Sequence, residues 1–124
     1  MQKSRNGPNP LVVLVVEDEF LVRLDIAGYL RKAGCVVLEA WSAIQAVATC
    51  RNGETVDILL TDINLGGPGT GWEIAEEFRT ARPGAGIIYV SGNSVDHSRR
   101  VAGSLFFNKP YSASDILQAC RDLA

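Results

Sequence analysis

The chain is short of the residues from which reactive or stapled sites are usually built. Among 124 residues there is one histidine, His97, and there are three cysteines, Cys35, Cys50 and Cys120, far apart and in no C-x-x-C pair. An odd, scattered set suggests neither a disulfide framework nor a zinc site, and it fits a reducing, cytoplasmic compartment. No apolar run approaches the roughly 20 residues that span a bilayer. Met1 to Pro10 lacks the apolar centre of a signal peptide, so neither membrane insertion nor export is expected. Charge of one sign is scarce as well: 12 Lys and Arg stand against 14 Asp and Glu, a net charge of -2. Such a field draws in neither phosphate backbones nor anionic lipid, so no direct nucleic-acid or membrane partner is expected.

Aliphatic residues are plentiful. A hydrophobic content of 47% in 124 residues suits one globular domain with a real core and leaves no room for a second. Met1 to Pro10, polar and broken by Gly7, Pro8 and Pro10, reads as a disordered lead-in, so the domain is expected over residues 11–124. Leu11 to Val16, Val36 to Leu38, Asp57 to Leu65, Ile87 to Val90 and Leu105 to Phe107 are short aliphatic runs bounded by turn or charged residues, the pattern of strands buried on both faces.

Helical spacing fills the intervals. Leu24, Ile26, Ala27 and Leu30 mark a helix from Phe20 to a stop at Gly34, and Ile44, Val47 and Ala48 are the expected inward face of a helix over Ser42 to Arg51. Ile74, Ala75 and Phe78 mark Trp72 to Arg82, and Ile116, Leu117 and Cys120 mark Ser112 to Leu123. Ser94 to Ala102 is a weak, short helical stretch. Five alternations of strand and helix predict an α/β fold, a doubly wound parallel sheet with helices on both faces.

Polar residues stand where these strands end. Glu17 and Asp18 follow the first strand, Asp62 the third, Ser91 the fourth and Lys109 the fifth, whereas the second ends in Ala40-Trp41. Taken singly, Asp18 could cap a helix, Ser91 could be a loop hydroxyl and Lys109 a surface charge. Together, at the carboxyl edge of one sheet, where α/β proteins bind ligands, they form a constellation that packing does not explain. Gathered carboxylates repel and must take up a proton or a cation. With no His or Cys placed to ligate and His97 read as solvent-facing, Mg2+ is the fitting ion. A carboxylate beside Mg2+ and a lysine is equipped to attack a phosphoryl group, giving an aspartyl phosphate.

These residues resemble the receiver domain of two-component response regulators over essentially Leu11 to Ala124. The resemblance implies a flavodoxin-like sheet in the order 2-1-3-4-5. It implies Asp62 as phosphoacceptor, Asp18 and the Asn64 backbone carbonyl as Mg2+ ligands, and Glu17 acting through a water. Ser91 would hydrogen-bond the phosphoryl group, Lys109 would pair with one of its oxygens, and the Lys109–Pro110 bond would be cis. Phe106 occupies the aromatic switch position, and Asn64 and Asn93 occupy positions that tune the lifetime of the phosphoryl group.

Two departures accompany the resemblance. The loop Gly66-Gly67-Pro68-Gly69-Thr70-Gly71 is one residue longer than usual and reads as a flexible flap; with no Gly-Lys-Ser/Thr after it, it is not a P-loop. The stretch between Ser91 and Lys109 is several residues short, which predicts a short or mobile fourth helix.

A haloacid-dehalogenase-type phosphatase would need a second aspartate where Asn64 stands. A flavodoxin-like electron carrier would not place Glu17-Asp18-Glu19 against a flavin phosphate. The expected function is a phosphoacceptor receiver that takes its phosphoryl group from a histidine kinase or a histidine phosphotransfer protein and then switches binding of a downstream protein. It acts once on itself and is not an enzyme in the usual sense. No output domain is expected within these residues, and the alternatives in context are a lone regulator, a relay intermediate or a piece of a hybrid kinase. The self-association state, monomer or homodimer, is left open. The alternative function is a phosphorylation-independent interaction module on the same fold.

Overall fold

In the computed structural model, which describes residues 9–124, strands and helices alternate as β1 (Val12–Val16), α1 (Phe20–Lys32), β2 (Val36–Ala40), α2 (Ala43–Arg51), β3 (Ile58–Asp62), α3 (Gly71–Ala81), β4 (Gly86–Ser91), a single 3-10 turn (His97–Arg99), β5 (Leu105–Asn108) and α4 (Ala113–Leu123). The lead-in expected over Met1 to Pro10 lies outside the described residues apart from Asn9 and Pro10. All strand pairs are parallel, in the order β2-β1-β3-β4-β5. Among the described residues no helix is long and apolar enough to cross a membrane.

The period-two geometry of a strand explains why the inner strands carry buried apolar residues on both faces. In β1, Leu14 and Val16 join a core with Leu59, Ile87, Tyr89 and the inner faces of α2 and α3. Val13 and Val15 point the other way, into a second core with Ile58, Leu60, Ile88, Val90 and residues of α1 and α4. The sheet is thus the middle of three layers, and all its carboxyl ends meet along one edge.

Two helical expectations change. In α2 the buried face is Ala43, Ala46 and Cys50, whereas Ile44 is 71% exposed, Ala48 is exposed and Val47 is half-buried. Apolar residues run almost around this helix, so its sequence allows two inward phases. The choice follows from α3, whose Trp72 and Phe78 are buried in the same layer, the Trp72 ring 4.8 Å from that of Tyr89. Bulk on α3 leaves room only for small residues on α2.

The second change is in Ser94 to Ala102, which forms one 3-10 turn instead of a helix. Val95 and Val101 are its main apolar residues and both pack on the core beneath α2 and α3. Six residues apart on an α-helix they would point about 120° away from each other, so an irregular chain packs both, half-buried, against one core where a helix could not. Tyr89 Oη accepts from the Val101 amide at 3.1 Å, Arg79 donates to the Ala102 carbonyl at 2.7 Å, and Arg99 pairs with Glu76 at 2.7 Å, so the segment is tied to β4 and α3.

Candidate functional site

Because the strands are parallel, the residues that follow β1, β3, β4 and β5 arrive side by side. Glu17 prolongs the β1 ladder, its N–H donating to Ala40 O at 3.0 Å, and its side chain is buried. Asp62 is the last residue of β3 and 6% exposed. Ser91 ends β4, and its Oγ accepts from the Asn93 N–H at 3.2 Å. The Lys109 N–H donates to Ser91 O at 2.9 Å, which carries Lys109 into the same row. The Lys109–Pro110 bond is cis, as expected.

Lys109 Nζ donates to Glu17 Oε1 at 2.6 Å and to Asp62 Oδ2 at 2.7 Å. Burial alone would push this ammonium down, but its two carboxylate partners outweigh that and hold it above the ordinary lysine value. Burial pushes the Glu17 carboxyl up, and the neighbouring Asp62 charge adds to this, while the hydrogen bonds from Lys109 and the Glu19 amide act in the opposite direction. One oxygen from each of Glu17, Asp18 and Asp62 lies within 4.8 Å of the others. Three carboxylates facing one ammonium leave surplus negative charge, and an oxygen-only donor set suits a hard divalent cation such as Mg2+ better than zinc. A cleft of about 320 Å3 opens above them, and its lining includes Asp18, Asp62, Asn64, Ser91, Asn93 and Lys109. The structure therefore brings the sequence-predicted residues together, with Glu17 beneath the cleft.

Asn64 donates its N–H to Asp62 Oδ1 at 3.3 Å, and its side chain accepts from the Gly66 amide. Phe106 is half-buried on the core, with the exposed ring of His97 packed against it in a tilted contact, 4.4 Å between centroids. His97 thus faces solvent as expected, but on top of the aromatic position. The glycine-rich loop is anchored at both ends. Asn64 bridges Thr70, Gly71 N–H donates to Ile63 O at 2.8 Å, and Thr70 with Glu73 forms a capping box on α3.

Three residues do more at the site than the sequence reading assigned them. Gly66, at φ +74°, approaches Asp18 so closely that a Cβ there would sit 2.8 Å from Asp18 Oδ2. Gly71 packs its Cα where a Cβ would collide with the Asp62 carbonyl oxygen and come within 2.9 Å of Ile63 Cα. Gly71→Ala should therefore displace the backbone that carries Asp62 and lower stability by roughly 2 kcal/mol or more, the cost of overpacking; an unchanged urea midpoint would refute this. The third is Arg23, which is buried while Leu24 is 48% exposed. Positions 23, 26, 27 and 30 form the buried stripe of α1, and an arginine in register with that stripe was the available signal.

The response regulator receiver domain model matches residues 13–121. Sensor kinase CckA of Brucella abortus (strain 2308) is 28% identical over 131 residues, covering 99% of this chain, and sensor histidine kinase CheAY of Helicobacter pylori (strain ATCC 700392 / 26695) is 27% identical over 117 residues, covering 89% of it. The chain spans only 13% and 14% of those two proteins. Among solved structures, a response regulator receiver protein from Sinorhizobium medicae WSM419 superposes with a TM-score of 0.89 at 28% identity, covering 94% of this chain and 96% of the other. A family match over residues 13–121 and a fold shared over 94% of its length place this chain in the response regulator receiver domain family.

Proposed function

We propose that Asp62 accepts a phosphoryl group from a phosphohistidine on a histidine kinase or a histidine phosphotransfer protein, and that the resulting aspartyl phosphate changes which protein the domain binds. The observation that carries this reading is the placement of Asp62: almost buried at the end of the central strand, with Oδ2 held by Lys109 at 2.7 Å and one oxygen in a 4.8 Å cluster with Glu17 and Asp18. The kinase names of the two curated relatives support the donor class.

In the reaction the P–N bond of the donor breaks as an Asp62 carboxylate oxygen bonds phosphorus, and the imidazole departs with the electron pair. Lys109 transfers its hydrogen bond from Asp62 to a phosphoryl oxygen and keeps the one to Glu17. Ser91, one strand away, exchanges its bond with Asn93 for one to the phosphoryl group. Asp18, Asp62 and the Asn64 carbonyl would hold Mg2+, with Glu17 acting through a water; when bound, the ion neutralises the charge of the transferring group. Asn64 and Asn93 flank the approach of the water that later hydrolyses the acyl phosphate. Incubation with Mg2+ and acetyl phosphate, followed by intact mass, should show one added phosphoryl group removable by hydroxylamine. No addition, with or without Mg2+, would remove the reading.

A further inference from the structure

Beyond the end of β1 the sheet no longer supplies a partner for the carbonyl of Glu17, and Arg23 takes that place. Its Nη1 donates to Glu17 O at 2.8 Å from a side chain that is almost wholly buried. The guanidinium is itself aimed from two directions. Its Nε donates to Glu39 Oε1 on β2 at 3.0 Å, and Glu39 is held by Arg31 at 2.9 Å through its other oxygen. The rings of Phe20 and Trp41 flank it at 5.5 and 5.7 Å, and both rings are more than half exposed, so they stand between the cation and water.

The carbonyl that Arg23 holds belongs to the peptide linking Glu17 to Asp18. A peptide is planar, so fixing that oxygen sets the direction in which the Asp18 backbone, and with it the carboxylate, leaves the strand. The N–H of Glu17 is fixed as well, on Ala40 O. We infer that Arg23 is a positioning residue for the acidic turn: by clamping the Glu17 carbonyl against Glu39 of the edge strand, it orients Asp18 and Glu17 for a divalent cation. This deepens the proposed function and rests on its Mg2+ site.

Charge and geometry predict opposite signs here. Removing the cation that holds the Glu17 carbonyl should, by Coulomb's law, tighten Mg2+ binding at the neighbouring acidic cluster, whereas losing the clamp should weaken it. Arg23→Met is expected to lower Mg2+ affinity about tenfold, in the range found when groups behind metal ligands are removed. Arg23→Lys keeps the charge but cannot direct two bonds from a planar fork, and should lower the affinity in the same direction by less. Calorimetric titration with Mg2+ alone measures both.

Without metal, amide exchange should quicken at Glu17 and Glu19 in Arg23→Met while β3 amides keep their protection; a purely structural role would lower protection throughout. Affinity equal to or above wild type in Arg23→Met overturns the inference. If that variant does not fold, Arg23→Lys binding Mg2+ as tightly as wild type overturns it. Wild type that binds no Mg2+ would instead sink the proposed function, and this inference with it.

Discussion

Asp62→Asn is expected to accept no phosphoryl group from acetyl phosphate under conditions in which wild type is labelled. The amide is a poor nucleophile, and it replaces one of the three carboxylates whose oxygens meet within 4.8 Å. The variant should nevertheless fold at least as stably. Asp62 raises the cost of charging the buried Glu17, so removing its charge relieves repulsion and leaves Lys109 paired with Glu17. Folding and labelling are thereby separated: a normal urea midpoint with no added mass identifies Asp62 as the acceptor. Full labelling of the variant would show that the phosphoryl group resides elsewhere. Chelating the metal should stop labelling of wild type as well, because a phosphoryl dianion cannot approach an acidic cluster that still carries its surplus charge.

The second large effect is at Lys109, where stability and metal binding should move in opposite directions. Its ammonium serves two carboxylates whose side chains are 4% and 8% exposed, for Glu17 and Asp62. Lys109→Ala strands both. Leaving buried charges without their partner costs on the order of 3 kcal/mol, so the metal-free variant should unfold at clearly lower urea than wild type. Mg2+ should then bind at least as tightly as to wild type, since a competing positive charge has gone. By mass action it should restore more stability to the variant than to wild type. Phosphorylation should still be slow, because no ammonium remains to take the phosphoryl oxygen. A large loss of Mg2+ affinity would show that Lys109 shapes the cluster instead of only balancing it.

Much of the architecture could be read before any coordinates, because it rests on short-range regularities. Unbroken aliphatic runs of strand length can be buried only between two layers, and Leu14 and Val15 do go to opposite cores. Alternation of such runs with helical spacing dictates a parallel sheet, and a parallel sheet sends every strand end to one edge. From that alone Glu17, Asp18, Asp62, Ser91 and Lys109 had to share one edge of the sheet, and the strand order implied by the resemblance made them neighbours. Caps are equally local: Thr70 and Glu73, three residues apart, close the box that starts α3.

What needed the tertiary structure is whatever depends on partners far along the chain or on competition for volume. The fork of Lys109 between Glu17 and Asp62 joins residues 92 and 47 positions away, a choice that no periodicity encodes. The inward phase of α2 was decided by Trp72 and Phe78 on another helix, and Val95 and Val101 broke the expected helix because both had to reach one core. Gly66 looked like part of a loose flap until its contact with Asp18 showed that the missing side chain is what lets two loops meet. Arg23 drew no reading from the sequence, and only the fold put the Glu17 carbonyl, Glu39, Phe20 and Trp41 around it. Local sequence thus determined which elements form and which ends carry charge, through periodicity and turn chemistry. The packed fold decided which charge pairs with which and which faces turn inward, since close packing and desolvation act only between groups already brought into contact.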